Sequence, residues 1–307
     1  MIVFNGDQLA LEKEQDLKKE VAALRDQGIK LKIAAILFKE DAGSQLYTQL
    51  KSEVAKRVGI DYEVHTFSMT EGTDGVEKKI KQLNQDETVT GIIIQKPWRN
   101  TWVKVKGISQ DKGTKAVRKA FNSWWEFLTS QIDLTKDVDG LHPNTMDAIK
   151  VNSWQQEKKV LPATAQAVMT ILNQAFAQLN IDSTQQSQLN ILMLGRSDIV
   201  GQPVFYELKN LGFQVRMLTR DDVDQRLASK KKFFDADVII SATGARHLVD
   251  GRMVKEGVIM IDVGEPRPDL DFESMQNKAA FITPVPGGVG PMTVVSLLKN
   301  CVTIAAQ

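Results

Sequence analysis

The 307-residue chain has few of the residues that build cross-links and metal centres. Cys301 is its one cysteine, which excludes an internal disulfide and a cysteine-cluster metal site. The three histidines, His65, His142 and His247, lie far apart in the sequence and lack the spacing of metal ligands. We therefore expect no metal site, and a lone thiol suits a reducing compartment.

The chain also lacks a long apolar run and an excess of charge. No apolar stretch approaches the length of a membrane span, and the N-terminal residues MIVFNGDQLA lack the pattern of a signal peptide. The formal net charge is +1, so composition gives no general attraction to nucleic acid or membrane. With 42% hydrophobic and 25% charged residues, we expect a soluble, cytoplasmic protein without a membrane partner, long enough for two domains.

In the first half, apolar runs at 31–38 and 91–95 and an alternating strand pattern at 61–67 are interspersed with helical patterns at 7–27, around residues 47–51 and at 73–83. Strands and helices in this order predict a parallel sheet with helices on its faces and ligands at the carboxyl ends of the strands. Tyr47 and Lys51 are four residues apart, so they project from one helix face, and Gln95 ends a strand. Taken alone, such a Tyr/Lys pair is either a solvated surface or part of a cleft with Gln95.

Residues 98–131 break this alternation. The segment holds four of the five tryptophans, and only one acid, Asp111, stands among its basic residues Arg99, Lys104, Lys106, Lys112, Lys115, Arg118 and Lys119. Basic residues interleaved with aromatics are typical of nucleic-acid contacts, but also of a solvated insertion whose tryptophans pack onto the domain. The composition favours the second interpretation.

The second half reads as a dinucleotide-binding domain. A helix at 164–179 and a polar linker at 182–188 lead to a strand at 189–194, a glycine turn from Gly195 to Pro203 and a helix from Val204. Such a turn seats a pyrophosphate at a helix N-terminus. The next strand, at 213–218, ends at Thr219 and Arg220, and an arginine there accommodates the 2′-phosphate of NADP. Two acids follow at 221 and 222, so NAD stays open beside NADP.

The chain closes with a loop at 282–293 that holds three glycines and three prolines, followed by a helix predicted at 294–306. So many glycines and prolines force a fixed backbone bend and allow a ligand to approach the main chain closely.

In this order and spacing, the motifs closely resemble the methylenetetrahydrofolate dehydrogenase/cyclohydrolase family of bifunctional folate enzymes. The matching motifs run over nearly the whole chain: Ser44-x-x-Tyr47-x-x-x-Lys51, Gln95-x-Pro97, Lys136-Asp137-Val138-Asp139-Gly140, Gly195-Arg196-Ser197-x-x-Val200-Gly201-x-Pro203 and the 283–293 loop.

The resemblance implies an α/β fold of two three-layer α/β domains with a cleft between them. Residues 1–150 would form a folate-binding catalytic domain, completed by the C-terminal helix at 291–307, and residues 151–290 a Rossmann-type NADP-binding domain. The family also implies a homodimer that binds tetrahydrofolate derivatives and serves purine biosynthesis.

The resemblance further implies the role of individual residues. The catalytic group would be Lys51, with Tyr47, Gln95 and Asp139. The substrate would also contact Ile94, Lys96 and the loop residues Pro286, Gly287, Gly288, Val289 and Gly290. The cofactor would lie on Gly195, Arg196, Ser197, Val200, Gly201, Thr219, Arg220, Gly244 and Glu265.

The implied chemistry has two steps. Hydride transfer from 5,10-methylenetetrahydrofolate to NADP needs positioning rather than a base. Hydrolysis of the methenyl product to 10-formyltetrahydrofolate needs a base, and burial beside a substrate cation should lower the pKa of Lys51.

Some residues depart from the family pattern. Lys96 stands where an apolar residue is usual, the 98–131 segment is an apparent insertion, and Glu265 replaces a residue that borders the cofactor. We hypothesise that lysines of the insertion meet the glutamate tail of the folate.

The alternatives are a homologue that has lost turnover, an RNA-binding derivative, and a short-chain dehydrogenase. The order of motifs disfavours the last, because the glycine loop of short-chain dehydrogenases precedes their Tyr/Lys pair.

Overall fold

A computed structural model of the chain describes residues 1–108, 114–229, 232–265 and 267–307. Asp111 and Lys112 of the basic segment lie outside the described residues. Two compact units are present: one gathers residues 1–13, 149–153 and 161–296, and the other gathers residues 14–148, 154–160 and 297–307.

The elements of the first half are β1 (Ile2–Val3), α1 (Gly6–Asp26), β2 (Lys32–Phe38), α2 (Ala42–Val58), β3 (Asp61–Phe67), α3 (Asp74–Gln85), β4 (Gly91–Ile94), α4 (Arg99–Val105), α5 (Thr114–Thr129) and α6 (Pro143–Lys150). Those of the second half are α7 (Ala163–Gln178), α8 (Ser183–Gln188), β5 (Asn190–Leu194), α9 (Gly201–Asn210), β6 (Gln214–Leu218), α10 (Arg220–Ala228), β7 (Val238–Ser241), β8 (Val258–Asp262), β9 (Ala279–Ile282) and α11 (Val289–Ala305).

A three-stranded parallel sheet in the order β3-β2-β4 lies in the second of these units. Its central strand β2 is buried on both faces, which explains the continuous apolar run in its sequence. Ile36 pairs with Ile94 across the sheet and belongs to a buried cluster that includes Phe38, Ile80 and Ile92. The predicted parallel sheet is therefore confirmed.

The insertion adds α4 and α5 to this core. Trp102 and Trp125 are buried in the same cluster, and the Trp102 ring lies 5.4 Å from that of Phe121. The packing of these two tryptophans agrees with the second interpretation of the segment. Trp98 behaves differently, because it remains 45% exposed.

A six-stranded parallel sheet in the order β1-β9-β8-β7-β5-β6 forms the core of the other unit. Strands β7 and β8 are fully buried. The strand order reverses at β5, which lies between β7 and β6. Because β1 pairs with β9, the first residues of the chain join this sheet. The compact units thus differ from the predicted domain bounds, whose functional division remains a prediction.

Several local predictions need correction. The polar linker at 182–188 contains α8, because Asp182 and Gln185 form a capping box at its start. Helix α9 begins at Gly201 rather than Val204, and α11 at Val289 rather than Val294. Pro291 fits the first turn of α11, where no intrahelical N–H donor is needed.

None of the helices in the described ranges has the length and apolar character needed to cross a membrane. Within those same ranges, no cluster of three or more histidine, cysteine, aspartate or glutamate side chains is arranged to hold a metal ion.

Candidate functional site

Helix α2 carries the Tyr/Lys pair and is capped at both ends. At its start, the buried Asp41 side chain accepts hydrogen bonds from the Ser44 backbone N–H at 3.1 Å and the Ser44 hydroxyl at 2.5 Å. At its end, Gly59 takes the left-handed conformation that closes a helix. The caps fix the helix that presents Tyr47 and Lys51 from one face.

Lys51 is buried, with 6% of its surface exposed, and its Nζ donates a 3.0 Å hydrogen bond to Gln95 Oε1. The Gln95 N–H in turn donates to the Ile36 carbonyl at 2.9 Å, which holds Gln95 at the carboxyl end of β4. Burial lowers the pKa of Lys51, while the charge of Asp139 acts in the opposite direction. The site therefore favours the neutral amine more than solvent does.

Asp139 lies in the turn that follows the buried Asp137. Asp137 accepts hydrogen bonds from the Leu141 and His142 backbone N–H groups and from the Thr145 hydroxyl, which shapes the turn. Burial raises the pKa of Asp139, and the charge of Lys51 opposes that shift. The structure thus brings Lys51, Gln95 and Asp139 together.

Close packing places this turn against the sheet. A Cβ atom at Gly91 would lie 2.3 Å from Val138 Cγ1, so β4 needs a glycine here. From helix α11, the Asn300 amide donates to the Val138 carbonyl at 3.0 Å. Asp139 is therefore held by both the sheet and the C-terminal helix.

Tyr62 is a neighbour of this group that the sequence does not point to. Its hydroxyl is buried and has no hydrogen-bond partner within the described ranges. Burial raises the pKa of Tyr62, and the charge of Asp139 adds to the shift. The sequence showed only a tyrosine in an alternating strand. The position of Tyr62 near Asp139 depends on the pairing of β3 with β2, which a local pattern does not reveal.

The other predicted substrate residues of this unit have different surroundings. Tyr47 is half-buried, and Ile94 is 2% exposed with its side chain in the core cluster. The Lys96 amine lies over the Trp125 ring at 4.9 Å, and its carbonyl accepts the Ser44 hydroxyl at 3.2 Å. Lys96 therefore packs toward the insertion.

The loop from Pro286 to Gly290 belongs to the unit with the six-stranded sheet. The Gly6 N–H donates to the Gly287 carbonyl at 2.9 Å, and a Cβ at Gly6 would lie 2.0 Å from Gly288 O. A Cβ at Gly288 would lie 2.4 Å from Pro284 O. Backbone atoms are therefore in close contact here. Val289 and Gly290 are the first two residues of α11.

The glycine turn after β5 has the close packing of a dinucleotide-binding loop. Gly195 has a φ of 107°, and a Cβ there would lie 2.4 Å from Ala242 O. A Cβ at Gly201 would lie 2.4 Å from Gly195 O. The Ser197 hydroxyl accepts the Val200 and Gly201 N–H groups at 3.2 Å each, which ties the turn to the start of α9. The turn and α9 stand where the strand order reverses, the usual place for a nucleotide.

Two arginines lie near the end of β6, where the Asp222 carboxylate is already hydrogen-bonded. Thr219 caps α10, and its N–H donates to Asp222 at 2.7 Å in a capping box. The pKa of Asp222 is lowered chiefly by the Thr219 hydroxyl, with a contribution from the charge of Arg196. Arg220 donates to Asp224 at 3.0 Å. The residues present thus fit a phosphate-bearing dinucleotide, since the glycine turn brings Arg196 close to the edge where Arg220 stands.

Two more predicted cofactor residues lie on neighbouring loops. Gly244 has a φ of 68°, and no atom lies within 4 Å of a Cβ built there, so the space beside it is open. Glu265 Oε2 lies 3.1 Å from the Cβ position of Gly290. Burial of the carboxyl group raises the pKa of Glu265 to about 7. The structure therefore brings Glu265 and the start of α11 together.

Family models match both halves of the chain. Residues 4–119 match the catalytic domain of tetrahydrofolate dehydrogenase/cyclohydrolase, and residues 162–307 match its NAD(P)-binding domain. The bifunctional protein FolD of Staphylococcus aureus strain JH9 is 33% identical over 305 residues, which cover 97% of this chain and 94% of the relative.

Solved structures agree with these matches. The bifunctional FolD enzyme of Campylobacter jejuni has a TM-score of 0.81 at 30% identity, covering 100% of this chain and 99% of the other. The Trypanosoma brucei methylenetetrahydrofolate dehydrogenase-cyclohydrolase, complexed with NADP and an inhibitor, has a TM-score of 0.81 at 27% identity and covers 99% of this chain and 97% of its own. The predicted α/β fold with a Rossmann-type domain is confirmed.

Proposed function

Because the chain belongs to the tetrahydrofolate dehydrogenase/cyclohydrolase family, we propose that it oxidises 5,10-methylenetetrahydrofolate with NADP and hydrolyses the product with Lys51 as the central group. The observation that carries the proposal is the buried Lys51 amine bonded to Gln95 Oε1 beside Asp139. Lysine is seldom buried unless its amine is paired, because burial penalises its charged form, and here the partners are residues of the family's motifs.

The oxidation step rests on positioning. NADP, when bound, supplies the acceptor of the hydride that leaves the methylene carbon. Gly195, Arg196 and Ser197 would hold its phosphates at the turn before α9, with Arg220 toward the 2′-phosphate. On the folate side, Asp139 accepts hydrogen bonds from the pterin edge and Tyr47 stacks on the rings. No side chain has to take a proton in this step.

The hydrolytic step uses Lys51 as a base. Water adds to the methenyl carbon, and the neutral amine takes one of its protons. Gln95 accepts a hydrogen bond from the amine, so its carbonyl directs the nitrogen lone pair. As the adduct collapses to the formyl group, the bond to N5 breaks and N5 gains a proton, so that one proton is released overall. The positive substrate lowers the pKa of Lys51 further, because like charges disfavour the ammonium form.

The residues around β6 support NADP over NAD. An acidic residue at this position could accept the ribose 2′-hydroxyl of NAD. Asp222, however, already accepts hydrogen bonds from the Thr219 N–H and hydroxyl. Arg196 lies near Asp222, and Arg220 is a second cation at this edge that Asp224 holds at 3.0 Å until a 2′-phosphate takes its place. NADP is accordingly the cofactor, and NAD is expected to serve poorly.

Formation of reduced nicotinamide tests the proposal directly. Purified protein is given 5,10-methylenetetrahydrofolate with NADP or with NAD, and the absorbance of the reduced cofactor is followed. We expect turnover with NADP that exceeds turnover with NAD. No reduced cofactor with either would contradict the proposal and favour a binding homologue that has lost activity.

The remaining family expectations are part of the same proposal. They are a homodimer, a cytoplasmic location and a supply of 10-formyltetrahydrofolate to purine biosynthesis. Light scattering of the purified protein at micromolar concentration tests the first, because a monomer mass would contradict it.

A further inference from the structure

Three cations lie on the two helices of the insertion or just before them. The Lys96 amine lies 4.9 Å from the Trp125 ring centroid and 5.8 Å from that of Phe121. Arg118 precedes Phe121 by three residues on α5, so the two share a helix face. Arg99 opens α4, three residues after Lys96. We name these residues, Lys96, Arg99 and Arg118, the cationic surface.

Two members of this surface repel each other. The pKa of Arg99 is lowered first by its partial burial and then by the charge of Arg118. Both arginines are exposed, and neither is bonded to a carboxylate in the part of the chain that the structure describes. Like charges held close together are unfavourable unless an anion lies between them. Arg99 and Arg118 each stand three residues before a ring of the Trp102–Phe121 pair, whose centroids are 5.4 Å apart, so the packing of α4 on α5 brings both arginines into one region where an anion would relieve their repulsion.

The cationic surface is fixed to the start of the helix that carries Tyr47 and Lys51. The Thr101 hydroxyl donates to Asp41 Oδ1 at 2.7 Å, while the other oxygen of this carboxylate caps α2. A Cβ at Gly43 would lie 2.4 Å from Trp98 Nε1, so the indole rests directly on this turn. The chain from Lys96 to Thr101 thus crosses the first turn of α2.

Positions 43, 47 and 51 fall on one face of α2, each one turn apart. Asp139 lies near Lys51 at one end of this row, and Trp98 lies against Gly43 at the other, with Arg99 as the next residue of the chain. Eight residues of helix separate Lys51 from Gly43, which is about 12 Å at 1.5 Å per residue. The row therefore has a length that suits the part of a folate from its methylene bridge to its first glutamate.

We propose that the cationic surface binds the γ-linked glutamate tail of a polyglutamylated folate. This inference rests on the proposed function, which puts the pterin at Asp139, its stacked rings at Tyr47 and the reacting carbon at Lys51, and it adds that the benzoyl ring extends from there along the row. The next group along the molecule is the glutamate tail, and the next residues along the row are Trp98 and Arg99. Arg99 and Arg118 pair with carboxylates of the tail, since guanidinium groups match carboxylates in geometry.

The test compares substrates with one and with three glutamates. The KM of each is measured for wild type, for Arg118→Gln and for the double variant Arg99→Gln with Arg118→Gln. Lys104→Gln is the matched control, because it removes the same charge from an exposed position on α4, five residues from Arg99 and on another face. Circular dichroism checks that each variant is folded.

In wild type we expect the triglutamate to have the lower KM, by about two- to fivefold for each exposed arginine–carboxylate pair. Arg118→Gln should lose part of this preference, and the double variant should bring the ratio of the two KM values near one. Lys104→Gln should keep the wild-type ratio. Added salt should weaken the preference, since exposed ion pairs are screened.

Several outcomes would overturn the inference. They are equal KM values in wild type, a ratio that survives in the double variant, or the same loss in Lys104→Gln. Inhibition by an oligonucleotide at lower concentration than by a γ-glutamate tetrapeptide of equal charge would assign the surface to nucleic acid instead. Turnover of the monoglutamate by wild type separates the two claims, because its absence refutes the proposed function and its presence leaves only the tail in question.

Discussion

Replacing Gly201 by alanine is expected to weaken cofactor binding while sparing the hydrolytic step. The added Cβ would lie 2.4 Å from Gly195 O, 2.8 Å from Gly195 C and 3.0 Å from Arg196 Cα. All three are backbone atoms, so no flexible side chain can move aside. To reach ordinary contact at 3.4 Å, the glycine turn must retreat by about 1 Å from the start of α9.

The size of the effect follows from this overlap. Overpacking of this kind costs about 1–3 kcal/mol. If the turn recovers the cofactor-bound conformation at that cost, the KM for NADP rises by roughly five- to 150-fold. Hydrolysis of 5,10-methenyltetrahydrofolate without NADP should continue, because it uses Lys51 on α2 and Gln95 after β4, in the other compact unit.

Two assays on the same preparation check this prediction. The first follows reduced nicotinamide as NADP is varied, and the second follows loss of methenyltetrahydrofolate without cofactor. Gly75→Ala is the matched control, because it adds a Cβ near the start of α3 where the nearest atom is 3.7 Å away. An unchanged KM for NADP in Gly201→Ala, or equal loss of both activities, would refute the reasoning.

Three further variants probe the surroundings of the buried amine. Gln95→Leu removes the acceptor of the Lys51 amine, so methenyl hydrolysis should slow by roughly tenfold or more; an unchanged rate would separate Gln95 from that step. Asp139→Asn removes the charge that raises the pKa of Lys51, so that pKa falls and the rising limb of the hydrolysis pH profile should move to lower pH; a move to higher pH would show the opposite coupling. Tyr62→Phe deletes a buried hydroxyl without a partner in the described ranges, so the free energy of unfolding in urea should rise by about 1 kcal/mol; a fall would reveal a bonded hydroxyl.

The elements that the sequence predicts well are those with long, regular patterns. The run at 31–38 becomes β2, and the apolar strand near 91–95 becomes β4. Because these strands are parallel, their carboxyl ends share an edge, and the meeting of Gln95 with Lys51 follows from that geometry. Local pattern and sheet topology together were sufficient for this part of the site.

Other features depend on contacts between distant residues. The two residues of β1 are too few to show a pattern, and they become a strand because β9 pairs with them. Tyr62 joins the surroundings of Asp139 through the register of β3 against β2. The paired arginines at 99 and 118 come together only when α4 and α5 pack, so charge counting showed a basic segment but not a cationic surface.

The most direct test of the account is methenyl hydrolysis by Lys51→Met. Methionine keeps the unbranched apolar stem and removes the amine, so the buried position stays filled. We expect hydrolysis to be abolished, while the affinity for NADP, measured by calorimetry, stays at the wild-type value. If methenyl hydrolysis survives in Lys51→Met, Lys51 is not the base and the proposed mechanism is wrong.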